Sequence, residues 1–302
     1  MYFEKGTCSV FIPRTFDDRL LHLHYSSFGN YSFIKKCLQY DQSLTSIYEL
    51  SSDNFRQFFP RSHKKAATIF ESIQTVHIDY LKAEFINEEI FYFNVFEEGY
   101  PSLLKEIYDP PWILYYKGNR SILNNPHRLA VVGTRHPSEF LKVEMDPLLI
   151  PIVNTPITVV SGMAMGVDTM AHELSMNQSG ETIAVLAYGL NQLYPLHLKE
   201  LKDRLQQRQL VITEYPPYVR PQRWHFPERN RIISGLSQAT LILEAKQKSG
   251  SLITGDCALQ QNRDVFALPG RISNPQSEGT NRLIQQGAKL ILSANDIIEE
   301  YL

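Results

Sequence analysis

Two textures of apolar and polar positions follow one another along the chain. From about Phe16 to Lys82 the apolar residues recur at helical spacing, in the stretches Leu20 to Tyr25, Phe33 to Tyr40 and Lys64 to Val76. Gly29-Asn30 and Pro60 interrupt them, which predicts a small helical domain. After Arg128 the pattern becomes one of short apolar runs: Leu129-Ala-Val-Val-Gly133, Thr158-Val-Val-Ser-Gly162, Thr182 to Ala187, Leu210-Val-Ile-Thr213, Thr240-Leu-Ile-Leu-Glu244 and Val265-Phe-Ala-Leu-Pro269. Such runs, alternating with longer amphipathic stretches, predict strands covered on both faces and joined by crossover helices. The expected fold is α/β, a doubly wound and mostly parallel sheet.

Between the two lies Glu84 to Tyr108, rich in Phe, Tyr and Ile. It ends at Pro110-Pro111, which neither continues a helix nor sits inside a central strand. The expected division is therefore a helical domain over 1–82, a connecting segment over 83–127 that packs on the sheet domain, and the sheet domain over 128–302.

Composition narrows the classes without naming one. At 302 residues, with 43% hydrophobic and 21% charged positions, the chain has the make-up of a folded globular protein. A formal net charge of −2 means that any polyanionic partner must be met by a local patch. Cys8, Cys37 and Cys257 are far apart and form no C-x-x-C pair, which argues against a disulfide framework or a cysteine zinc site and for a reducing compartment. With no leader pattern and no apolar run approaching the ~18 residues of a membrane span, a cytoplasmic protein without membrane insertion is expected.

The candidate chemistry gathers at the carboxyl ends of the strands, where an open α/β sheet binds ligands through loop amides and helix N-termini. Gly133-Thr134-Arg135 puts a guanidinium fork beside exposed backbone, a match for phosphate oxygens. Ser161-Gly162 leads through Met165 and Gly166 to a helix opening near Val167, where Asp168 and His172 stand at i and i+4. No Ser or Cys nucleophile accompanies them, so a hydrolytic triad is rejected. Tyr215 to Arg231 interleaves Arg220, Arg223, Arg229 and Arg231 with Tyr215, Tyr218, Trp224 and Phe226, the composition of a single-strand binder, although the aromatic rings alone read more simply as core. Arg229-Asn230-Arg231, read as a loop just before an apolar helix, is its stronger part. Lys246, Ser249, Gly250, Ser251 and Thr254 follow the strand ending in Glu244, and Gly279-Thr280-Asn281 form a further loop expected on the same edge. The full G-x-G-x-x-G fingerprint and a ribose-binding acid are missing, so no cofactor and no metal is expected.

In their order these segments resemble the DNA-processing protein A (DprA/Smf) family. The resemblance runs from Gly99-Tyr-Pro-Ser-Leu-Leu104 to Gly287-Ala288 and is carried by Pro111-Trp-Ile-Leu-Tyr-Tyr-Lys-Gly118, Val131-Val-Gly-Thr-Arg135, Ser161-Gly162 with Gly166-Val-Asp168 and Ala171-His172, Phe226 to Ser237, Ser249-Gly-Ser-Leu-Ile-Thr254, and Pro269-Gly270 with Gly279-Thr-Asn281. It implies a sterile-alpha-motif-like (SAM-like) helical domain followed by an extended Rossmann-like domain that binds single-stranded DNA. It further implies a homodimer that protects incoming DNA and loads the RecA recombinase during natural transformation, with no catalysis. Carried over to this chain, Gly133, Thr134, Arg135, Ser161, Gly162, Gly166, the Arg229-Asn230-Arg231 segment and the Ser249-Gly250-Ser251 loop would hold DNA phosphates. Members commonly have Lys or Arg where this chain has Met165, so one phosphate contact is expected to be missing. Many members continue into a winged-helix domain, which is not expected here because the sequence stops at Leu302, after a helix from Asp296 to Tyr301.

The alternative is an enzyme resembling the nucleoside-monophosphate phosphoribohydrolases. Pro269-Gly270 and Gly279-Thr280 are similar to their Pro-Gly-Gly-x-Gly-Thr loop, but an insertion separates them and Asn281-Arg-Leu-Ile284 stands where the glutamate is expected.

Overall fold

The computed structural model describes residues 11–301 and divides into two compact units, 1–94 and 95–302. Cys8 lies outside the described residues. The first unit holds helices α1 (Phe16–Ser26), α2 (Tyr31–Tyr40), α3 (Ser52–Phe55), α4 (His63–Thr75) and α5 (Ile78–Asn87), then the short strand β1 (Phe91–Asn94). Polar caps set where these helices begin: Thr15, Asn30 and Ser62 each accept from a first-turn backbone N–H of α1, α2 and α4. Phe33, Phe55, Phe58 and Phe59 pack ring to ring with centroids 5.2–6.1 Å apart and tie α2 to α3 and to the turn after it.

The second unit contains α6 (Ser102–Lys105), β2 (Ile113–Gly118), β3 (Arg128–Val132), α7 (Glu139–Val153), β4 (Thr158–Ser161), α8 (Val167–Asn177), β5 (Thr182–Val185), α9 (Lys199–Arg208), β6 (Leu210–Thr213), α10 (His225–Gly235), β7 (Ala239–Ile242), α11 (Gly250–Gln260), β8 (Asp264–Ala267), α12 (Glu278–Gln285), β9 (Lys289–Leu290) and α13 (Asn295–Ile298). All six apolar runs after Arg128 are strands, as expected. Strands β3 to β7 are buried along their whole length, because helices cover both faces of a parallel sheet.

The strand order within this unit is β2-β6-β5-β4-β3-β7-β8-β9. From β3 the chain steps outward through β4, β5 and β6, then returns to lay β7 on the other side of β3. Right-handed crossovers on either side of that reversal place helices on opposite faces, which makes the sheet doubly wound. The departure from parallel pairing is β2, antiparallel to β6 with Tyr115 opposite Thr213. This strand lies in the stretch that the apolar pattern left as a connecting segment. Leu129, Val131, Val159, Leu241 and Phe266 of the sheet pack against Leu141, Met145 and Leu149 of α7 and Val167 and Ala171 of α8 to form the core beneath the carboxyl edge.

Candidate nucleic-acid interface

The reversal of strand order between β3 and β7 leaves a crevice at their carboxyl ends, because the loops leaving these two strands turn to opposite faces. A cleft of about 470 Å³ opens there. Gly133 and Arg135 line it from the β3 side, Ser249, Gly250, Ser251 and Thr254 from the β7 side, and Arg229 and Asn230 of α10 from between. Ser249 caps α11, so the amide end of that helix faces the opening.

Three glycines of the edge have a specific neighbour, whereas a Cβ on Gly250 would meet nothing within 4 Å. A Cβ on Gly133 would lie 2.6 Å from Val167 Cγ2, so the β3 loop rests directly on α8. Gly166 has φ of 79°, in the region that favours glycine, and a Cβ there would meet the Thr134 carbonyl oxygen at 2.4 Å. A Cβ on Gly162 would sit 2.0 Å from the Arg229 guanidinium, which therefore fills the space under the β4 loop.

Arg229 is 4% exposed. It donates to the Val185 carbonyl oxygen at 2.5 Å, and its Nε has no hydrogen-bond partner among the described residues. Burial lowers its pKa, opposed by the nearby Asp168 carboxylate. Asp168 accepts from the backbone N–H groups of Gly162 and Ala164 at 3.1 and 3.3 Å, which fixes the β4 loop. Burial raises its pKa, opposed by Arg229 and these amides. The cleft floor is thus a buried guanidinium braced by a buried carboxylate, with its remaining donor capacity beneath the opening.

Arg229-Asn230-Arg231 corrects the sequence reading. These residues are not a loop before a helix but the middle of α10, which begins at His225 and carries Pro227 in its first turn, where a missing N–H is tolerated. Three consecutive helical residues point about 100° apart, so they cannot share one ligand surface. Arg229 turns under the β4 loop, and Asn230 reaches α11 and donates to the Gly250 carbonyl oxygen at 3.2 Å. Arg231 turns away from the cleft into a two-pronged pair with Glu214, 2.7 Å at each oxygen, and a contact with Asp109 at 3.0 Å. Burial works against its charge, but Glu214 and Asp109 outweigh it and raise its pKa.

The other expected site residues divide between rim, scaffold and elsewhere. Arg135 is exposed, its guanidinium 5.7 Å from the centre of the Phe226 ring. Thr134 and Ser161 are buried and turned into the scaffold, Thr134 accepting from the His136 N–H at 3.2 Å and Ser161 donating to the Val131 carbonyl oxygen at 2.7 Å. Gly162 and Met165 line a smaller adjoining pocket of about 30 Å³, with Tyr188, Tyr194 and Phe226. Lys246 is exposed but outside the cleft lining.

Gly279, Thr280 and Asn281 do not join the cleft. With Lys248 and Arg282, Gly279 lines a neighbouring groove that shares Ser249 and Ile253 with the cleft, and Thr280 is buried against Ser277. Asn281 bridges the Gly270 backbone, accepting from its N–H at 3.1 Å and donating to its carbonyl at 2.9 Å. At this position of the phosphoribohydrolase-like loop the side chain is a structural staple.

His172 does not pair with Asp168. It is buried, with Nδ1 2.7 Å from the Thr182 hydroxyl, and burial followed by the Arg229 charge lowers its pKa to about 3. Among the aromatic rings, Tyr215 is core, stacked on His225 at 4.0 Å, whereas Trp224 stays exposed.

Sequence reasoning missed Tyr194, which lines both pockets and stands edge-on to Phe226 at 5.6 Å. Its loop is held from below by Lys202, whose Nζ donates to the carbonyls of Leu190 and Gln192 and whose pKa burial lowers to about 8. A buried lysine at a helical apolar position was the available signal.

These features define the class: a Rossmann-like protein whose switch-point cleft is lined by backbone amides, the buried guanidinium of Arg229 and the exposed ones of Arg135 and Arg223. The chain belongs to the DNA recombination-mediator protein A family, whose model matches residues 92–302. It is 40% identical over 246 residues to DNA processing protein DprA of Bacillus subtilis, covering 81% of this chain and 83% of that protein. To DprA of Streptococcus pneumoniae it is 43% identical over 209 residues, covering 69% and 73%. The solved Streptococcus pneumoniae DprA superposes with a TM-score of 0.81 at 36% identity, over 96% of this chain and 99% of that one. DprA of Helicobacter pylori, solved for its unique single-stranded DNA binding mode, gives 0.62 at 30% identity, over 69% and 94%. Among the described residues no helix is long and apolar enough to cross a membrane.

Proposed function

We propose that this protein binds single-stranded DNA along the carboxyl edge of its sheet and acts by binding rather than by catalysis. The observation that carries the reading is the switch-point cleft, where Arg135 and the α11 amide end flank the buried Arg229. Phosphates are the fitting ligand, since amides, hydroxyls and guanidinium groups converge there. Tyr194 and Phe226 at the rim offer flat faces on which an unstacked base can lie. The single-strand binding named for the Helicobacter pylori relative supports the same ligand. In this reading the protein works in the cytoplasm as a homodimer that shields incoming strands and passes them to the RecA recombinase during natural transformation, as the family resemblance implies.

A fluorescence-anisotropy titration with oligothymidylate over a range of salt tests the binding step. Arg135→Ala should weaken binding about tenfold at low salt and flatten the dependence of log K on log salt by about 0.7, the share of one phosphate contact on a single strand. Equal affinity and slope in wild type and variant, or no binding by the wild type at low salt, would overturn the proposal.

A further inference from the structure

The first unit segregates its charge. From Asn54 to Phe70 the chain has Arg56, Arg61, His63, Lys64 and Lys65 and no acidic residue, and all five are exposed. Asp53, just before them, pairs with Arg56 at 3.2 Å, whereas Arg61 and Lys64 have no ion-pair partner among the described residues. The aromatic cluster of Phe33, Phe55, Phe58 and Phe59 holds α2 beside this segment, and Lys36 of α2 donates to the Phe58 carbonyl oxygen at 2.8 Å. The exposed Lys36 is thereby set next to the same turn. Lys65 is oriented by the Phe59 ring, 5.8 Å from its Nζ.

The placement works against local stability. Lys64 and Lys65 lie in the first turn of α4, where the helix dipole disfavours cations and no acid is present to compensate. A ligand that brings negative charge to this turn would satisfy the cations and the first-turn amides that the Ser62 cap leaves over. Half-exposed Tyr40, four residues after Lys36 and so on the same side of α2, stands edge-on to Phe58 and adds one ring face beside the lysines.

We infer that this α2–α4 face is a second binding surface for the phosphodiester backbone of nucleic acid, separate from the cleft. A spread of single cations over several helices matches a chain of evenly spaced charges and carries no sequence code. An anionic membrane fits less well, since Phe55, Phe58 and Phe59 are turned inward and Tyr40 alone would supply an apolar anchor on this face.

The test uses the full chain with Arg61→Gln, Lys64→Gln and Lys65→Gln combined, and labelled oligothymidylate and a duplex of equal length as probes. The substituted protein should bind at least one of the two probes tenfold or more weakly at low salt. Its log–log salt slope should be shallower by about 2 on the single strand, or somewhat more on the duplex. The thermal midpoint should not fall, and Lys64→Glu alone, which suits the helix dipole, should weaken binding while folding at least as well. Repeating the comparison in Arg135→Ala keeps the two surfaces distinct: the loss from the α2–α4 substitutions persists there whether or not Arg135 itself matters. Unchanged affinity and slope on both probes would overturn the inference. So would substitution-dependent binding to phosphatidylglycerol vesicles without any change on the oligonucleotides.

Discussion

The cleft of the second unit and the basic face of the first present positive charge in opposite ways. In the cleft the central guanidinium, Arg229, is buried, hydrogen-bonded to the sheet and braced by Asp168, and glycines are required wherever loops close on one another. On the α2–α4 face the cations are exposed and stand on ordinary helix and turn positions. The first arrangement suits an anion held in one geometry and makes the fold depend on the site. The second suits extended charge that is gathered without being fixed, and Arg61 and Lys64 make no ion pair among the described residues. The difference separates a site that positions from a surface that gathers.

Acid reaches deepest into the comparison, because beneath their different surfaces both units bury a neutral histidine. Burial lowers the pKa of His24 in the first unit and of His172 under the cleft to about 3 in each case. The unfolded chain takes up these protons near pH 6.5 and the folded chain does not. Stability is therefore full above that pH and falls as the pH drops toward about 3, by on the order of 5 kcal/mol per histidine at the limit. NMR titration of the two imidazole resonances checks this, and protonation of either near pH 6 in the folded protein contradicts its burial as neutral. Equal behaviour would show that the units differ at the surface and not in depth.

Arg229→Ala should separate the two regions most clearly. It leaves Asp168 buried beside the β4 loop without its counter-charge, at a cost of about 3–5 kcal/mol in urea unfolding. If Arg229→Ala destabilised no more than Arg61→Ala on the basic face, the distinction between positioning and gathering charge would collapse. The smallest effect sharpens the other side: Lys64→Glu should stabilise the first unit by about 0.3–1 kcal/mol, read as a higher thermal midpoint, because an acid replaces a cation in the first turn of α4. A loss of stability there would mean that Lys64 has a structural role.

Much of the cleft was legible in the chain because glycines and small residues at strand ends have few other uses. Gly133 and Arg135 come to the opening from a loop, and Ser249, Gly250, Ser251 and Thr254 from the cap and first turns of α11, each after a strand that is apparent as an apolar run. Tyr194 was not legible, since it stands in an irregular stretch after β5 that gives no periodic signal, and the anchoring of its loop by Lys202 brings it to the rim. The strand β2 was hidden for a related reason: Pro110-Pro111 precedes it, and its partner β6 lies about a hundred residues further on.

By itself the sequence determined the helical first part, the parallel strands and the edge on which chemistry would gather. Burial on both faces demands continuous apolar runs, and close approach of loops demands glycine, and both demands are written locally. Tertiary structure alone decided which residues of that edge share a cleft. It set Arg229 under the β4 loop and Arg231 against Glu214 although two positions separate them, and it put Gly279 in a neighbouring groove and turned Thr280 and Asn281 into the scaffold. Helical phase and strand order act through space, so the residue types were readable in advance and their company was not.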